Sequence, residues 1–148
     1  KVQVKINTTA VVEKELLDGK LDLALVGGTI QSEHIVAEPL FYEKYTAICA
    51  PEHPMAGKTV LLEEFMKEPL LFREKSSGAY EVFQSAVNQT GLTVTPVWES
   101  TSQTTLMEAV HYGLGVTILP EQMIKREIRE GRLARLHSPI SPFRIRFI

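Results

Sequence analysis

Several residue types that mark whole classes of protein are scarce in this chain of 148 residues. Its only cysteine is Cys49, so no disulfide can form within the chain, and the apolar neighbours of Cys49 predict a buried thiol rather than a nucleophile. A lone thiol of this kind is typical of a reducing compartment. The net charge of −2 lacks the basic excess of a domain that binds DNA by itself. No apolar run approaches the roughly 18 residues that a membrane-spanning helix needs.

Residues that catalyse reactions or bind metals are equally sparse. Asp18 and Asp22 are the only aspartates, and both lie in a segment that reads as peripheral. The four histidines, at positions 34, 53, 111 and 137, show no spacing that a metal site uses. The chain has no nucleophile elbow and no motif that links a serine, a histidine and an acid. We therefore predict that the chain is not an enzyme and holds no metal and no cofactor.

The order of apolar patterns predicts an α/β fold. Short β-rich runs alternate with helical patterns of about ten residues, which favours parallel sheets. The strands are predicted at residues 2–6, 21–26, 70–72, 95–98, 116–119, 133–136 and 143–148. The long β-rich run at residues 35–50 is predicted to leave one half of the molecule and enter the other near residues 38–47, with a second crossing near residues 131–135.

Two predicted helices begin with an unusual number of polar side chains. The loop REKSSG at residues 73–78 opens one helix, and TSQ at residues 101–103 opens the other. Free backbone N–H groups and the helix dipole make such ends suitable for anions. If both ends face one cleft, they would hold a group the size of a carboxylate, sulfate or phosphate. Plain N-capping, which needs one serine or threonine per helix, is the alternative for either helix taken alone.

Glycines and basic residues elsewhere have simpler interpretations. The sequence GLG at residues 113–115 follows a helix and precedes a strand, so it predicts a helix end rather than a dinucleotide loop. Gly27 and Gly28 end the predicted strand 21–26, at the edge where ligands bind on α/β sheets. The basic run at residues 125–135 is diluted by glutamates and has no aromatic residues, which favours a solvated face or a partner contact over nucleic-acid binding.

Five motifs, in this order and spacing, resemble the effector-binding domain of LysR-type transcriptional regulators. They are LDGKLDLAL at residues 17–25, EPL at 38–40, APEHPMA at 50–56, FREKSSG at 72–78 and AVHYGLGVTILP at 109–120. The resemblance implies a fold like a type 2 periplasmic binding protein: two Rossmann-like subdomains, joined by two crossover strands, with the effector in the cleft between them. Subdomain I would comprise residues 1–43 and 132–148, incomplete at its N-terminus, and subdomain II residues 44–131.

The resemblance also implies where the effector binds. The implied contacts are Arg73, Ser76, Ser77, Gly78, Thr101, Ser102, Gln103, Gly27 and Gly28. The sequence of residues 73–78 is similar to that of family members that sense small sulfur-containing or carboxylate anions. Where the family often has Thr-Arg after Ser-Gly, this chain has Ala79 and Tyr80. An anion-pairing arginine is thereby lost, which argues against a strongly charged effector.

Further expectations concern partners and place of action. The resemblance implies a cytoplasmic regulator, away from membranes, whose effector is a small and anionic molecule. DNA would be bound only through an N-terminal domain that this chain does not contain. Effector domains would pair as homodimers within a tetrameric full-length protein. The alternative is an extracytoplasmic solute-binding protein of the same fold, which a signal peptide in the full gene would favour. A small α/β enzyme is disfavoured by the missing nucleophile and base.

Overall fold

The computed structural model describes residues 1–137 and 143–148 of the chain. Helices and strands alternate along most of it. The elements are α1 (Thr9–Leu17), β1 (Phe41–Cys49), α2 (Leu62–Phe65), β2 (Leu71–Arg73), α3 (Gly78–Asn88), β3 (Trp98–Ser100), α4 (Gln103–His111), β4 (Thr117–Pro120), α5 (Glu121–Arg129), β5 (Ala134–Arg135) and β6 (Phe143–Phe147). No helix in these described ranges has the length and apolar character needed to cross a membrane.

The strand β1 connects two parts of the molecule. Its first half, Phe41 to Tyr45, pairs with β6, and its second half pairs with β4 and then with β5. Side chains at its start are exposed, whereas every residue from Tyr45 to Cys49 is buried. One long strand therefore belongs to both halves of the fold, as the β-rich run at residues 35–50 suggested. The boundaries of the two subdomains, which include residues 138–142 outside the described ranges, stay a prediction.

The expectation of parallel sheets is wrong for the larger sheet. All three neighbours of β1 run antiparallel to it, whereas the small sheet of β2 and β3 is parallel. The three partners, β4, β5 and β6, come from separate later segments of the chain, and each of them runs in the direction opposite to β1. Alternating strands and helices reveal neither which strands become neighbours nor the direction in which each one runs.

Two apolar clusters lie on opposite faces of β1. Tyr45, Ala47 and Cys49 belong to the first cluster, together with the aromatic rings of α2, β2 and α3. Ile48 belongs to the second, which packs beneath α4 and α5. Successive side chains of a strand point to opposite faces, so a strand covered by helices on both sides reads as a continuous apolar run. This is why YTAIC, at residues 45–49, contains no charged residue.

Two predicted strands are absent. Residues 2–6 and 21–26 alternate in hydrophobicity, yet neither segment forms a strand, and Val2, Val4 and Ile6 are more than four-fifths exposed. Only the end of the second segment pairs, where Val26 and Ile148 exchange two backbone hydrogen bonds of 3.0 Å. A strand needs a neighbour for its backbone groups, and in the described part of the chain none lies alongside residues 2–6.

The strand after α3 begins later than predicted. Residues 95–97 lie outside β3, although the N–H of Val97 donates to the carbonyl of Leu70 at 2.9 Å. Pro96 has no N–H to give to a strand ladder, and β3 begins two residues after it.

The turn after α4 confirms that GLG ends a helix. Gly113 has φ +75°, and the N–H of Leu114 donates to the carbonyl of Ala109 at 3.0 Å. The N–H of Gly113 donates to Val110, which completes a Schellman motif. Gly115 then passes so close to Pro69 that a side chain there would overlap the Pro69 carbonyl oxygen. The helix end and the start of β4 are thus fixed by two glycines with different roles.

Candidate functional site

A cleft of about 670 Å³ lies where the N-terminal region meets the rest of the molecule. One wall comes from residues before β1, the other from the loops that open α3, α4 and α5, and β1 and β6 form the floor. The polar and charged side chains that line it are Asn7, Thr8, Thr9, Glu43, Tyr45, Arg73, Glu74, Ser77, Gln103 and Gln122. A cleft of this size, lined by polar and apolar side chains in similar number, suits a small polar molecule.

The start of α1 faces this cleft. Thr8 is the N-cap of α1 but makes no capping hydrogen bond with its side chain, and its own N–H is held by the Asn7 carboxamide oxygen at 3.1 Å. The first N–H groups of the helix therefore lack the usual side-chain acceptor. Sequence analysis did not assign a ligand role to this helix. Asn7, Thr8 and Thr9 are nevertheless residue types that often begin helices, and their side chains can hydrogen-bond a ligand there.

The start of α3 closes the opposite side. Ser77 is buried, and its hydroxyl oxygen accepts from the Tyr80 N–H at 3.2 Å, so the plain capping role holds for this residue. Gly78 lies directly against the backbone of Gly27 and Gly28, where a side chain would overlap the Gly27 carbonyl oxygen. This contact joins the two walls of the cleft at glycines, where neither backbone carries a side chain. Ser76 is exposed and does not line the cleft.

The start of α4 contributes one side chain. Ser102 is exposed and caps the helix by accepting from the Thr105 N–H at 3.2 Å. Thr101 is also exposed, and neither residue lines the cleft. Gln103 does line it, together with Tyr45. Of the nine predicted contacts, Gly27, Arg73, Ser77, Gly78 and Gln103 therefore meet in the cleft, while Ser76, Thr101, Ser102 and Gly28 lie beside it.

Arg73 already has a partner. Its Nε and Nη2 donate to the two carboxylate oxygens of Glu74 at 2.9 and 3.0 Å. This two-point contact satisfies one edge of the guanidinium and cancels much of its charge. Among the described residues, the cleft lining thus contains one cation, Arg73, and two carboxylates, Glu43 and Glu74. Sequence analysis singled out the arginine and overlooked the carboxylate that follows it.

Glu43 and Tyr45 share the cleft face of β1. Burial raises the pKa of the Glu43 carboxyl. Burial, and then the charge of Glu43, raise the pKa of Tyr45 to about 12, so this hydroxyl stays neutral at physiological pH. Both positions follow from strand alternation once the direction of β1 is known, but a single sequence does not show which face of a crossing strand meets a cleft.

Cys49 is not among the residues that line the cleft. Burial raises the pKa of the Cys49 thiol to about 11, which agrees with a core residue rather than a nucleophile. Residues 1–137 and 143–148 contain no group of three or more His, Cys, Asp or Glu side chains placed to hold a metal ion.

Fold and cleft together define an α/β domain with a cleft of a size that suits a small molecule between two walls. Comparison with known proteins identifies the family: the model of the LysR substrate binding domain matches residues 1–148, and the chain belongs to this family. The expected architecture, like that of type 2 periplasmic binding proteins, is thereby confirmed.

Relatives and solved structures agree with this assignment. The uncharacterized HTH-type transcriptional regulator YeiE of Escherichia coli K12 is 25% identical over 143 residues, which are 94% of this chain and 47% of YeiE. The chain thus spans about half the length of this relative. The regulatory domain of Synechocystis CcmR in complex with 2-PG superposes with a TM-score of 0.85 at 22% identity, over 99% of this chain and 71% of that one. The effector-binding domain of QuiR in complex with shikimate gives 0.80 at 17%, over 95% and 66%.

Proposed function

We propose that this domain senses a small molecule in the cleft and passes the signal to DNA-binding domains elsewhere in the full-length protein. The observation that carries the proposal is the convergence of the starts of α1 and α3 on one cleft, which Gln103 and Tyr45 also line. In family terms the full-length protein is a cytoplasmic transcription regulator. The alternative of an extracytoplasmic solute-binding protein loses support because the relatives are named as transcription regulators.

The proposed effector contacts fall into three groups according to their position in the cleft. An anionic group of the effector binds at the starts of α1 and α3, near Ser77, Gly78 and Gly27, where backbone N–H groups and helix dipoles favour negative charge. Gln103 and Arg73 contact the polar body of the effector. Ser102 supports this arrangement from the rim by capping α4, and Gly28 does so by its backbone contact with Gly78. Thr101 and Ser76 are exposed at the rim. The effector acts by favouring one arrangement of the two walls over another.

Titration of the full-length protein with small carboxylates, including shikimate, should reveal at least one stabilising compound. A ligand at a hundred times its Kd stabilises the folded state by about 2.7 kcal/mol. Gln103→Leu removes one polar contact and should weaken this ligand about tenfold, because a lost hydrogen bond of about 1 kcal/mol leaves a buried group unpaired as well. Calorimetric titration measures both affinities.

The matched control is Thr104→Val, on the next residue of α4 and outside the cleft. This variant should bind as the unmodified protein does. If no compound of the panel binds, or if Gln103→Leu and Thr104→Val have the same affinity, the cleft is not the effector site.

We also propose that the effector domains pair as homodimers. Supporting this, α1 buries none of its residues, and Val11 and Leu17 on it are 40% and 50% exposed. Leu23 and Val36 are exposed as well, and exposed apolar residues that form a patch often mark contact surfaces. Sedimentation of the full-length protein should therefore give an even multiple of the monomer mass. A monomer at micromolar concentration, unchanged by Leu17→Asp, would contradict the pairing.

A further inference from the structure

The cleft contains a charge that nothing in the described chain neutralises. Glu43 lines the cleft and is half-buried, and no Lys, Arg or His in residues 1–137 and 143–148 forms an ion pair with it. Two cations lie near Glu43: Lys44 is adjacent to it in sequence, and Arg73 lines the same cleft. Both have other partners. Lys44 pairs with Glu121 at 3.5 Å, and Arg73 pairs with Glu74. Keeping a carboxylate partly out of water without a cation costs free energy. A ligand that brings a positive charge can offset this cost.

The rest of the lining supplies little positive charge. In the part of the chain that the structure describes, the charged lining residues are Glu43, Glu74 and Arg73, so the carboxylates outnumber the guanidinium. Tyr45, beside Glu43 on the same face of β1, keeps its proton throughout the physiological range. Favourable sites for an anion are then limited to the helix starts that line the cleft, such as those of α1 and α3, where the dipoles act as partial charges only. One carboxylate can be held there, whereas a second would meet Glu43.

Resting on the function proposed above, we infer that Glu43 determines specificity for effectors that are small amino-carboxylates. The carboxylate of such a ligand binds at the starts of α1 and α3, and its ammonium group pairs with Glu43. A cleft of about 670 Å³ accommodates an amino acid or a molecule somewhat larger. Glu43 thereby selects for the amino group and against dicarboxylates, since a misplaced like charge rejects the wrong ligand.

Matched probes test this selection. Calorimetric titrations of the full-length protein use three pairs that differ by one amino group: propionate and alanine, succinate and aspartate, glutarate and glutamate. We expect the amino member of the tightest pair to bind at least about tenfold more tightly, because truncating a partly buried charge pair is costly. Glu43→Gln, which keeps the shape of the side chain, should reduce this preference to less than about threefold.

The control for net charge is Glu63→Gln, on the exposed side of α2. It removes the same charge away from the cleft and should keep the tenfold preference. Equal binding of both members by the unmodified protein, or a preference that survives Glu43→Gln, overturns the role of Glu43 while leaving the cleft as an effector site. If no probe of either kind binds to the unmodified protein, the proposed effector site fails as well.

Discussion

Gly78→Ala should weaken effector binding at least about tenfold and lower the free energy of unfolding by about 1–3 kcal/mol, the usual cost of overpacking. The added methyl group would overlap the carbonyl oxygen of Gly27, which is backbone and cannot rotate away. The start of α3 must therefore move back from Gly27 and Gly28. Because this contact joins the two walls, the movement widens the cleft. Calorimetry and denaturant unfolding measure the two effects.

Gly27→Ala provides the matched control on the other side of the same contact. Its methyl group would meet ring carbons of Phe147 at 3.2 and 3.3 Å and the Ile145 Cγ2 at 3.3 Å, all of them side-chain atoms that can shift. We expect a smaller loss of both stability and affinity than for Gly78→Ala. Equal losses in the two variants would show that the close approach of Gly78 is unimportant to the cleft.

The local features of the site were predictable from the sequence because each depends on a few adjacent residues. Ser77 and Ser102 cap the helices they precede, and Gly113 ends the helix it follows. Capping requires only a short polar side chain and the N–H two or three residues later. The same locality explains why sequence reasoning placed α3 and α4 correctly and recognised their polar starts.

Features that depend on distant pairing were not predictable. Sequence alternation gave residues 2–6 the pattern of a strand, yet a strand forms only beside a neighbour. The face of β1 that carries Glu43 and Tyr45 became visible only with its register against β6, where Glu43 lies opposite Ile145. The balance of charge in the cleft was not predictable for a similar reason. Residue types alone do not tell whether Arg73 faces a ligand or bonds to Glu74.

Phe83→Ala should be the most damaging single change among these variants, lowering the free energy of unfolding by about 3–5 kcal/mol. Phe83 is fully buried in α3; its ring stacks on Phe72 with centroids 4.7 Å apart and meets Phe65 edge-on at 6.5 Å. Removing the ring leaves a cavity between α2, β2 and α3. Since β2 ends at Arg73 and α3 begins at Gly78, the loop that forms one wall of the cleft depends on this contact.

Two comparisons separate packing from other effects of changing α3. Ser85→Ala, on the exposed side of the same helix, should change stability by no more than about 0.5 kcal/mol. Phe83→Leu, which keeps most of the buried volume, should cost clearly less than Phe83→Ala. A saturating effector should then recover more stability in Phe83→Leu than in Gly78→Ala, because only the second change acts directly on the contact between the walls. The opposite order would mean that the aromatic cluster, rather than the glycine contact, determines the shape of the cleft.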